Sequence, residues 1–316
     1  MKRYLVYPLQ FDTRIRALDQ IEEHWEPKVK ELHVQNRDNL IDSLKQEFGE
    51  YNFEMKLRNF KDLDSSPFSI VAHHNTLFHQ ARYAFIHGFY YPALTATCAL
   101  GERILNHLFL DLRHNFPGSR YDRKSHTRNS IDDWSKAIDV LDEWRVFHPA
   151  EVKEAFEELK ELRNRSLHFD VSVVLSLREH ALEALGCLAL IIEKQFGFQL
   201  TRTIPGSRGA FFLRKDAETD PFISHYYLHQ CPYVSPYYSM KDTSGAWLIF
   251  DHEVYPNVEI SDEEFVAAFE ARTAEQLAPD DIPWQDGISV IALTPVGVKD
   301  VEYRPTDPPK TNLDSQ

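Results

Sequence analysis

The segment Glu151–Asp170, EVKEAFEELKELRNRSLHFD, constrains the fold of this chain more than any other. Its apolar residues recur at the spacing of an amphipathic α-helix of about five turns. At 100° per residue, Arg163 falls in the middle of the apolar stripe, whereas Arg165 falls on the opposite face. An unpaired guanidinium aimed at a hydrophobic core costs several kcal/mol. The sequence therefore predicts that Arg163 has a partner or a ligand.

Ordinary helix electrostatics explains part of this charge pattern. Glutamates dominate the first turns of the segment and arginines its end, as the helix macrodipole favours. Glu161 precedes Arg165 by four residues, which is the favourable order for a surface ion pair. Arg165 therefore needs no functional explanation, whereas the inward-facing Arg163 does. His168 taken alone is typical of a helix end.

The hexapeptide Arg163–His168, R-N-R-S-L-H, resembles the R-[polar]-x-x-x-H signature of HEPN domains, the helical domains named for higher eukaryotes and prokaryotes nucleotide-binding. The upstream stretch Ala84–Leu108 is similar to the second-helix region of bacterial HEPN proteins, with Glu102 in the acidic position. Together the two stretches cover roughly Pro67–Phe198, under half of the chain. The resemblance implies an antiparallel helical bundle that often dimerises and, in catalytically intact members, a metal-independent ribonuclease.

The resemblance also assigns roles to individual residues. It implies that Arg163 and His168 are the catalytic pair and that Asn164 is the accompanying polar residue. In RNA cleavage by the ribose 2′-hydroxyl, a histidine suits proton transfer near neutrality, and a guanidinium suits the charge developing on phosphorus. Glu102 lies at the edge of the apolar stripe of its own helix, so we expect it to pair with Arg163 and orient it. Such chemistry needs no cofactor and no metal.

Composition bounds the class of protein. With 316 residues, 43% apolar and 27% charged, the chain can form more than one compact globular unit. The three cysteines are scattered, so free thiols are expected rather than disulfides or a metal site. No apolar run is long enough for a transmembrane helix, and the first residues lack a signal-peptide pattern. A cytoplasmic protein with no membrane partner is expected.

The net charge of −14 argues against a broad electrostatic grip on nucleic acid, although it leaves room for a local basic pocket. The strongest basic concentration lies in the polar connection between Phe116 and Ser130. A solvated loop explains that connection as well as contact with an RNA backbone does. The candidate contacts to the backbone are Arg120, Arg123, Lys124 and Arg128.

The order of patterns predicts a mainly α fold: a HEPN-like antiparallel bundle with a short N-terminal extension and a small C-terminal α+β domain. The predicted boundaries are 1–66 for a strand and helix extension, 67–198 for the bundle, 199–303 for the α+β domain and 304–316 for a disordered tail. Within these ranges we expect a strand at Tyr4–Phe11, a helix starting at Ser66-Pro67 and a close helix approach at Gly101.

The C-terminal region carries further patterns. Ala246–Val254 and Ile288–Val296 have the composition of strands, and Ser261 with Glu264 forms a capping box. His225, His229 and Cys231 are close enough for a metal cluster, but prolines interrupt the segment and no second ligand pair follows, so no metal is expected. Six aromatic residues are expected in the core, with base stacking as the less favoured alternative: Tyr226, Tyr227, Tyr233, Tyr237, Tyr238 and Trp247.

Two functions remain open at this point. The first is a HEPN-type endoribonuclease with RNA as substrate, working as a homodimer in which a second copy supplies the second acid–base group. Toxin, antiphage and RNA-processing roles all fit this activity, and an antitoxin or regulatory protein would then be a partner. The alternative is a non-catalytic HEPN module that binds a nucleotide or a protein, with Arg163 held in a structural ion pair by Glu102. The sequence does not distinguish this module from a purely structural subunit of a larger assembly.

Overall fold

A computed structural model of the chain describes residues 1–7, 11–116, 133–167, 175–197, 202–205, 210–243, 246–254, 258–280, 288–294 and 297–300. The chain forms two compact units. The helical unit comprises Gln10–Ser69 and His73–Gly197, and the sheet unit comprises Met1–Leu9, Ile70–Ala72 and Phe198–Gln316. The predicted mainly α fold with a small sheet region towards the C-terminus is confirmed. The predicted tail, 304–316, lies outside the described residues.

The helices of the helical unit follow the apolar periodicity of the sequence. They are α1 Pro27–Phe48, α2 Phe53–Asp62, α3 Ala72–Ile86, α4 Tyr90–Leu112, α5 Trp134–Glu143, α6 Glu151–Leu167 and α7 Leu177–Phe196. The predicted start of α3 at Ser66-Pro67 is wrong. Ser66 instead forms a β-bridge with Asp12, and its amide donates to the Asp12 carbonyl at 2.8 Å. This bond holds the backbone extended, so the helix begins only at Ala72.

Helix α4 is the centre of the helical unit and packs against α5, α6 and α7. Its inner face is fully buried and includes Leu94, Leu105 and Leu108. A Cβ at Gly101 would overlap the Leu159 side chain of α6 and would lie 3.4 Å from the Trp134 ring of α5. The predicted close approach of helices at Gly101 is thus present, and only a glycine allows it.

The segment preceding the predicted bundle packs into it rather than forming a separate extension. Asn59 of α2 is fully buried, and its Nδ2 donates to the last carbonyls of α3, at 3.0 Å from Phe85 and 3.2 Å from Ile86. Arg178 of α7 donates through Nε and Nη2 to the Asn59 Oδ1, at 3.2 and 3.1 Å, and pairs with Asp62. These hydrogen bonds tie α2 to α3 and α7, and the helical unit accordingly includes Gln10–Ser69.

The sheet unit contains two antiparallel sheets and two short helices. One sheet has the order β2-β1-β3, and the other has the order β4-β5-β6-β7. The elements are β1 Arg3–Val6, β2 Phe211–Phe212, α8 Pro221–Tyr226, β3 Tyr233–Val234, β4 Ser239–Thr243, β5 Ala246–His252, α9 Asp262–Glu270, β6 Ile288–Thr294 and β7 Gly297–Asp300. The strands predicted at Tyr4–Phe11, Ala246–Val254 and Ile288–Val296 are present as β1, β5 and β6. Strands β1 and β5 end earlier than expected, whereas residues 295–296 lie outside the described residues.

Strand β1 is the central strand of its sheet, although it comes from the N-terminal segment. Leu5 pairs with Phe212 of β2, and Tyr4 pairs with Tyr233 of β3. Arg3 secures the strand further, because its Nε donates to Asp262 at 2.8 Å and its Nη2 donates to the Ile260 carbonyl at 2.7 Å. The first residues of the chain therefore belong to the sheet unit.

The core of the sheet unit is aromatic. The Phe212 ring contacts Phe265 and Phe269 of α9 edge-on, with centroids 4.8 and 5.1 Å apart. The predicted capping box of α9 is confirmed: the Glu264 amide donates to the Ser261 hydroxyl, and the Ser261 amide donates to the Glu264 carboxylate. None of the helices described here is long and apolar enough to span a membrane.

Candidate functional site

The side chain of Arg163 lies on the inner face of α6, one turn beyond the buried Leu159. It retains 25% of its accessible surface, and it follows the apolar stripe formed by Val152 and Phe156. Arg165 is exposed, and its Nε reaches only the Glu161 carbonyl of its own helix, at 3.5 Å. The predicted contrast between the inward and outward arginines is confirmed.

Glu102 of α4 is the partner of Arg163, as expected. Arg163 Nε donates to one carboxylate oxygen, Oε2, at 3.0 Å, and Nη2 lies at ion-pair distance from the same oxygen, also at 3.0 Å. The pair is therefore centred on one carboxylate oxygen and is not a bidentate contact with both. The Glu102 side chain is 33% exposed, so the pair lies at the edge of the core rather than inside it. The carboxylate neutralises the guanidinium and fixes its orientation.

Trp134, the first residue of α5, forms the other side of the Arg163 environment. Its ring centroid lies 5.7 Å from the Arg163 Cζ, and the residue is only 3% exposed. A guanidinium near an aromatic face is stabilised by the ring quadrupole. Sequence reasoning missed this residue, because the contact joins two helices through tertiary packing. The only local signal is Asp133, whose side chain caps α5 and so fixes where Trp134 enters the helix.

One end of the guanidinium remains open. Among the residues that the structure describes, Nη1 of Arg163 has no hydrogen-bond acceptor, and it is not enclosed. An arginine carries five N–H donors, of which one is hydrogen-bonded to Glu102. The arrangement can therefore bind an additional acceptor, such as a phosphate oxygen, without breaking the ion pair.

Cys98 lies one turn before Glu102 and is buried. Burial raises the pKa of its thiol to about 12, while the positive charge of Arg163 partly opposes this shift and Glu102 adds to it. The thiolate is the nucleophilic form of cysteine, so a thiol with so high a pKa is inert at neutral pH. Cys98 is therefore a buried core residue next to the ion pair, and its thiol does not act as a nucleophile.

Asn164 and Ser166 complete the described end of α6. Asn164 is half-buried, and its side chain forms no hydrogen bond with the described residues. The Ser166 hydroxyl donates to the Arg163 carbonyl at 2.8 Å, which fixes the last turn of the helix. His168 lies outside the described residues, as do Arg120, Arg123, Lys124 and Arg128. The structure thus brings Arg163, Glu102 and Trp134 together, and the predicted catalytic roles remain predictions.

Other predicted features fall in the sheet unit. Among the described residues no cluster of three histidine, cysteine or acidic side chains could hold a metal ion. Burial raises the pKa of the Cys231 thiol, which lies in the core. Tyr226, Tyr227 and Tyr238 are buried, as expected for core residues, whereas Tyr233 is 41% exposed and Trp247 is 36% exposed.

Comparisons of the chain with protein-family models, with curated proteins and with solved structures find no match. The functional interpretation of Arg163 therefore depends on the geometry of the ion pair and on the hexapeptide that contains it.

Proposed function

We propose that the helical unit is a HEPN-type, metal-independent endoribonuclease whose catalytic residues are Arg163, Asn164 and His168. The observation that carries this proposal is the state of Arg163. Its guanidinium is oriented by Glu102 and Trp134 near the end of α6, and it keeps an open donor five residues before His168. Packing alone would favour a leucine at this position, so the charge and its two supporting side chains need a reason.

The proposed reaction is an internal transesterification of RNA. The ribose 2′-oxygen attacks the adjacent phosphorus, a new O–P bond forms, and the bond from phosphorus to the 5′-oxygen of the next nucleotide breaks. His168 takes the 2′-hydroxyl proton or returns a proton to the leaving oxygen, since imidazole titrates near neutrality. Arg163 stabilises the charge on the phosphorane oxygens, and Asn164 orients the histidine or a phosphate oxygen. The products are a 2′,3′-cyclic phosphate and a 5′-hydroxyl.

A homodimer is part of the proposal, because the motif contains one histidine whereas the reaction uses both an acid and a base. A two-fold axis close to the ends of two α6 helices would supply both groups. Light scattering at micromolar concentration is expected to give twice the chain mass of 36.9 kDa. If the chain is a monomer at every concentration, the version of the proposal in which two copies form one active site is wrong. The version in which one chain forms the active site is not affected.

A second candidate function is favoured by the same ion pair. Glu102 accepts one hydrogen bond from Arg163 and neutralises its charge. Such a carboxylate is also what a structural ion pair needs, so the geometry suits a non-catalytic module that binds a nucleotide or a partner protein as well. The overall charge of −14 supports this alternative to the same extent.

Cleavage of a heterogeneous RNA pool in the presence of EDTA distinguishes the two functions. The wild-type chain is expected to produce fragments with 2′,3′-cyclic phosphate ends, and His168→Ala is expected to produce none. Arg165→Ala is the matched control from the outer face of the same helix and is expected to keep most of the activity. If wild-type and His168→Ala chains degrade the pool equally, or if neither degrades it, the binding module is the better conclusion.

A further inference from the structure

A cavity in the sheet unit contains charges that the proposed ribonuclease does not use. It has a volume of about 400 Å³ and lies between β4 and the end of α9. This volume is within the usual range of small-molecule sites. Tyr238, Met240 and Phe269 line its apolar part, and Ser239, Arg272 and Asp280 line its polar part.

Arg272 provides a positive charge that no carboxylate of the described residues neutralises. Its Cζ lies 3.8 Å from the centroid of the Phe269 ring and 5.5 Å from that of Tyr238. Its Nη1 donates to the Pro236 carbonyl at 3.2 Å. No ion pair to Arg272 occurs within the described ranges, and the residue is only half-exposed. The rings and the carbonyl fix the guanidinium, but its full charge remains available to an anion.

Asp280 provides a negative charge at the same cavity. Its backbone carbonyl accepts from Lys241 Nζ at 3.2 Å, whereas its carboxylate forms no ion pair or hydrogen bond with any described residue. Two half-buried opposite charges at one cavity would stabilise each other by pairing. Arg272 and Asp280 do not pair, which leaves a positive and a negative position apart from each other on the cavity wall.

Ser239 adds an independent sign of a ligand. Its Oγ is fully enclosed, yet it has no hydrogen-bond partner in the part of the chain that the structure describes. A buried hydroxyl without a partner costs free energy, so native proteins usually satisfy it with a partner or a bound molecule. Ser239 lines both this cavity and an adjoining one of about 450 Å³, whose wall includes Glu275 and His252.

We propose that this cavity binds a small zwitterion with an apolar side chain, of which a free α-amino acid is the simplest example. Arg272 would bind its carboxylate, Asp280 its ammonium group, and Tyr238 with Met240 its side chain. A rotation of the Ser239 side chain would bring its enclosed hydroxyl to either polar group. A polyanion such as a nucleotide suits the cavity less well, because Asp280 and the neighbouring Glu275 would repel its phosphates. A simple amine suits it poorly because of Arg272.

Calorimetric titration of the full chain tests this site without any assay of RNA cleavage. The probes are L-leucine, L-methionine and L-phenylalanine, together with N-acetyl-L-phenylalanine, which lacks the ammonium group, and phenethylamine, which lacks the carboxylate. At least one amino acid is expected to bind with a millimolar or lower Kd. Both truncated probes are expected to bind at least about tenfold more weakly than L-phenylalanine. No binding by any of the three amino acids, or equal binding by a truncated probe, overturns the proposal.

Variants locate the binding. Arg272→Gln and Asp280→Asn are each expected to weaken binding at least about tenfold. The matched controls are Arg214→Gln and Asp242→Asn, which make the same charge changes at exposed positions of the sheet unit and are expected to keep the wild-type Kd. Equal affinity in a cavity variant and its control contradicts the assignment.

Ser239→Ala keeps the test decisive if Arg272→Gln fails to fold, because the Ser239 hydroxyl has no partner to lose. The melting temperature without ligand is expected to stay at the wild-type value or to rise, and the Kd is expected to increase severalfold. A Kd that stays at the wild-type value in Ser239→Ala argues that the ligand binds elsewhere.

Discussion

Arg163 in the helical unit and Arg272 in the sheet unit are both half-buried, but their charges are compensated differently. Arg163 is paired with the Glu102 carboxylate and lies beside the Trp134 ring. Arg272 rests on the Phe269 ring and donates to a carbonyl, and it forms no ion pair with a described residue. A carboxylate cancels the field of a guanidinium, whereas a ring only supports it. Arg163 is therefore a positioned donor, and Arg272 keeps the stronger attraction for an anion.

His74 extends this comparison to a buried base that has no carboxylate partner among the described residues. It is 1% exposed, and its Nδ1 has no partner in the described part of the chain. Burial keeps its pKa well below the ordinary value of 6.5, and His73 and His107 lower it further. An arginine cannot lose its proton in this way, so it needs a partner, whereas an imidazole becomes neutral.

The largest expected difference between the two arginines is in RNA cleavage. Arg163→Ala is expected to reduce the rate of cleavage by at least about 100-fold, because it removes the donor that faces the phosphorane. Arg272→Ala is expected to leave the rate unchanged, since it belongs to another site. Initial rates on one RNA pool measure both effects, and circular dichroism confirms that each variant is folded. Comparable losses in the two variants would contradict the assignment of the site to Arg163.

Removal of the carboxylate tests how strongly Glu102 supports Arg163. Glu102→Gln is expected to lower the free energy of unfolding by about 2 kcal/mol, because it leaves a half-buried guanidinium without its counter-charge. Asp142→Asn, which breaks the more exposed pair with Lys153, is the matched control and is expected to cost under about 1 kcal/mol. Urea denaturation measures both values. An equal cost at the two sites would mean that the inner pair is no stronger than a surface pair.

Two helical glycines test whether the close approach of α4 and α6 places Arg163 next to Glu102. Gly101→Ala is expected to destabilise the chain by about 1–2 kcal/mol, because the free-energy cost of the overlap between the added methyl and the buried Leu159 exceeds the gain in helix propensity. Gly186→Ala in α7 is the control, because no described atom outside the backbone of its own helix lies within 4 Å of the added Cβ. It is expected to stabilise the chain by up to about 1 kcal/mol. A stabilising Gly101→Ala would show that the interface is looser than described.

The smallest expected effect is the pH dependence caused by His74. Because its pKa is lower in the folded state, the unfolded chain binds more protons below about pH 6.5. The free energy of unfolding is therefore highest above pH 6.5, where the imidazole is neutral in both states, and it decreases as the pH falls towards the folded pKa. The slope contributed by one such group is at most about 1.4 kcal/mol per pH unit.

Urea denaturation between neutral and mildly acidic pH measures this slope. His74→Leu is expected to flatten it. Phe196→Leu is the matched control, because the Phe196 ring packs against the His74 ring, with centroids 4.9 Å apart, and phenylalanine does not titrate. That variant is expected to lose stability equally at each pH. An unchanged slope in His74→Leu would assign the acid sensitivity to other groups.

The features that could be predicted from the sequence are those that depend on the periodicity of a single helix. The angles along α6 distinguished Arg163 from Arg165, and the stripe of α4 predicted both the closeness at Gly101 and the ion pair to Glu102. These properties follow from the fixed geometry of a helix, which a single sequence specifies well.

Features that depend on distant segments could not be predicted in this way. The Asp12–Ser66 bridge delays the start of α3, and the Trp134 contact depends on the path of α5. The cavity at Arg272 and Asp280 is lined by side chains from β4, from α9 and from the segment after α9, which only tertiary packing brings together. A basic residue after a helix end is common for electrostatic reasons alone. Long-range pairing of this kind has no short-range sequence signal.

The central position of β1 has a consequence for biosynthesis. Ribosomes make this strand before the helical unit, yet its two neighbours, Phe211–Phe212 and Tyr233–Val234, are made only after that unit. The helical unit can therefore fold during translation, whereas the sheet unit must wait for its later strands. Until then, the nascent chain carries a strand with two unpaired edges, which is open to pairing with other chains. Slow or interrupted translation after residue 197 should accordingly favour aggregation through the N-terminal strand.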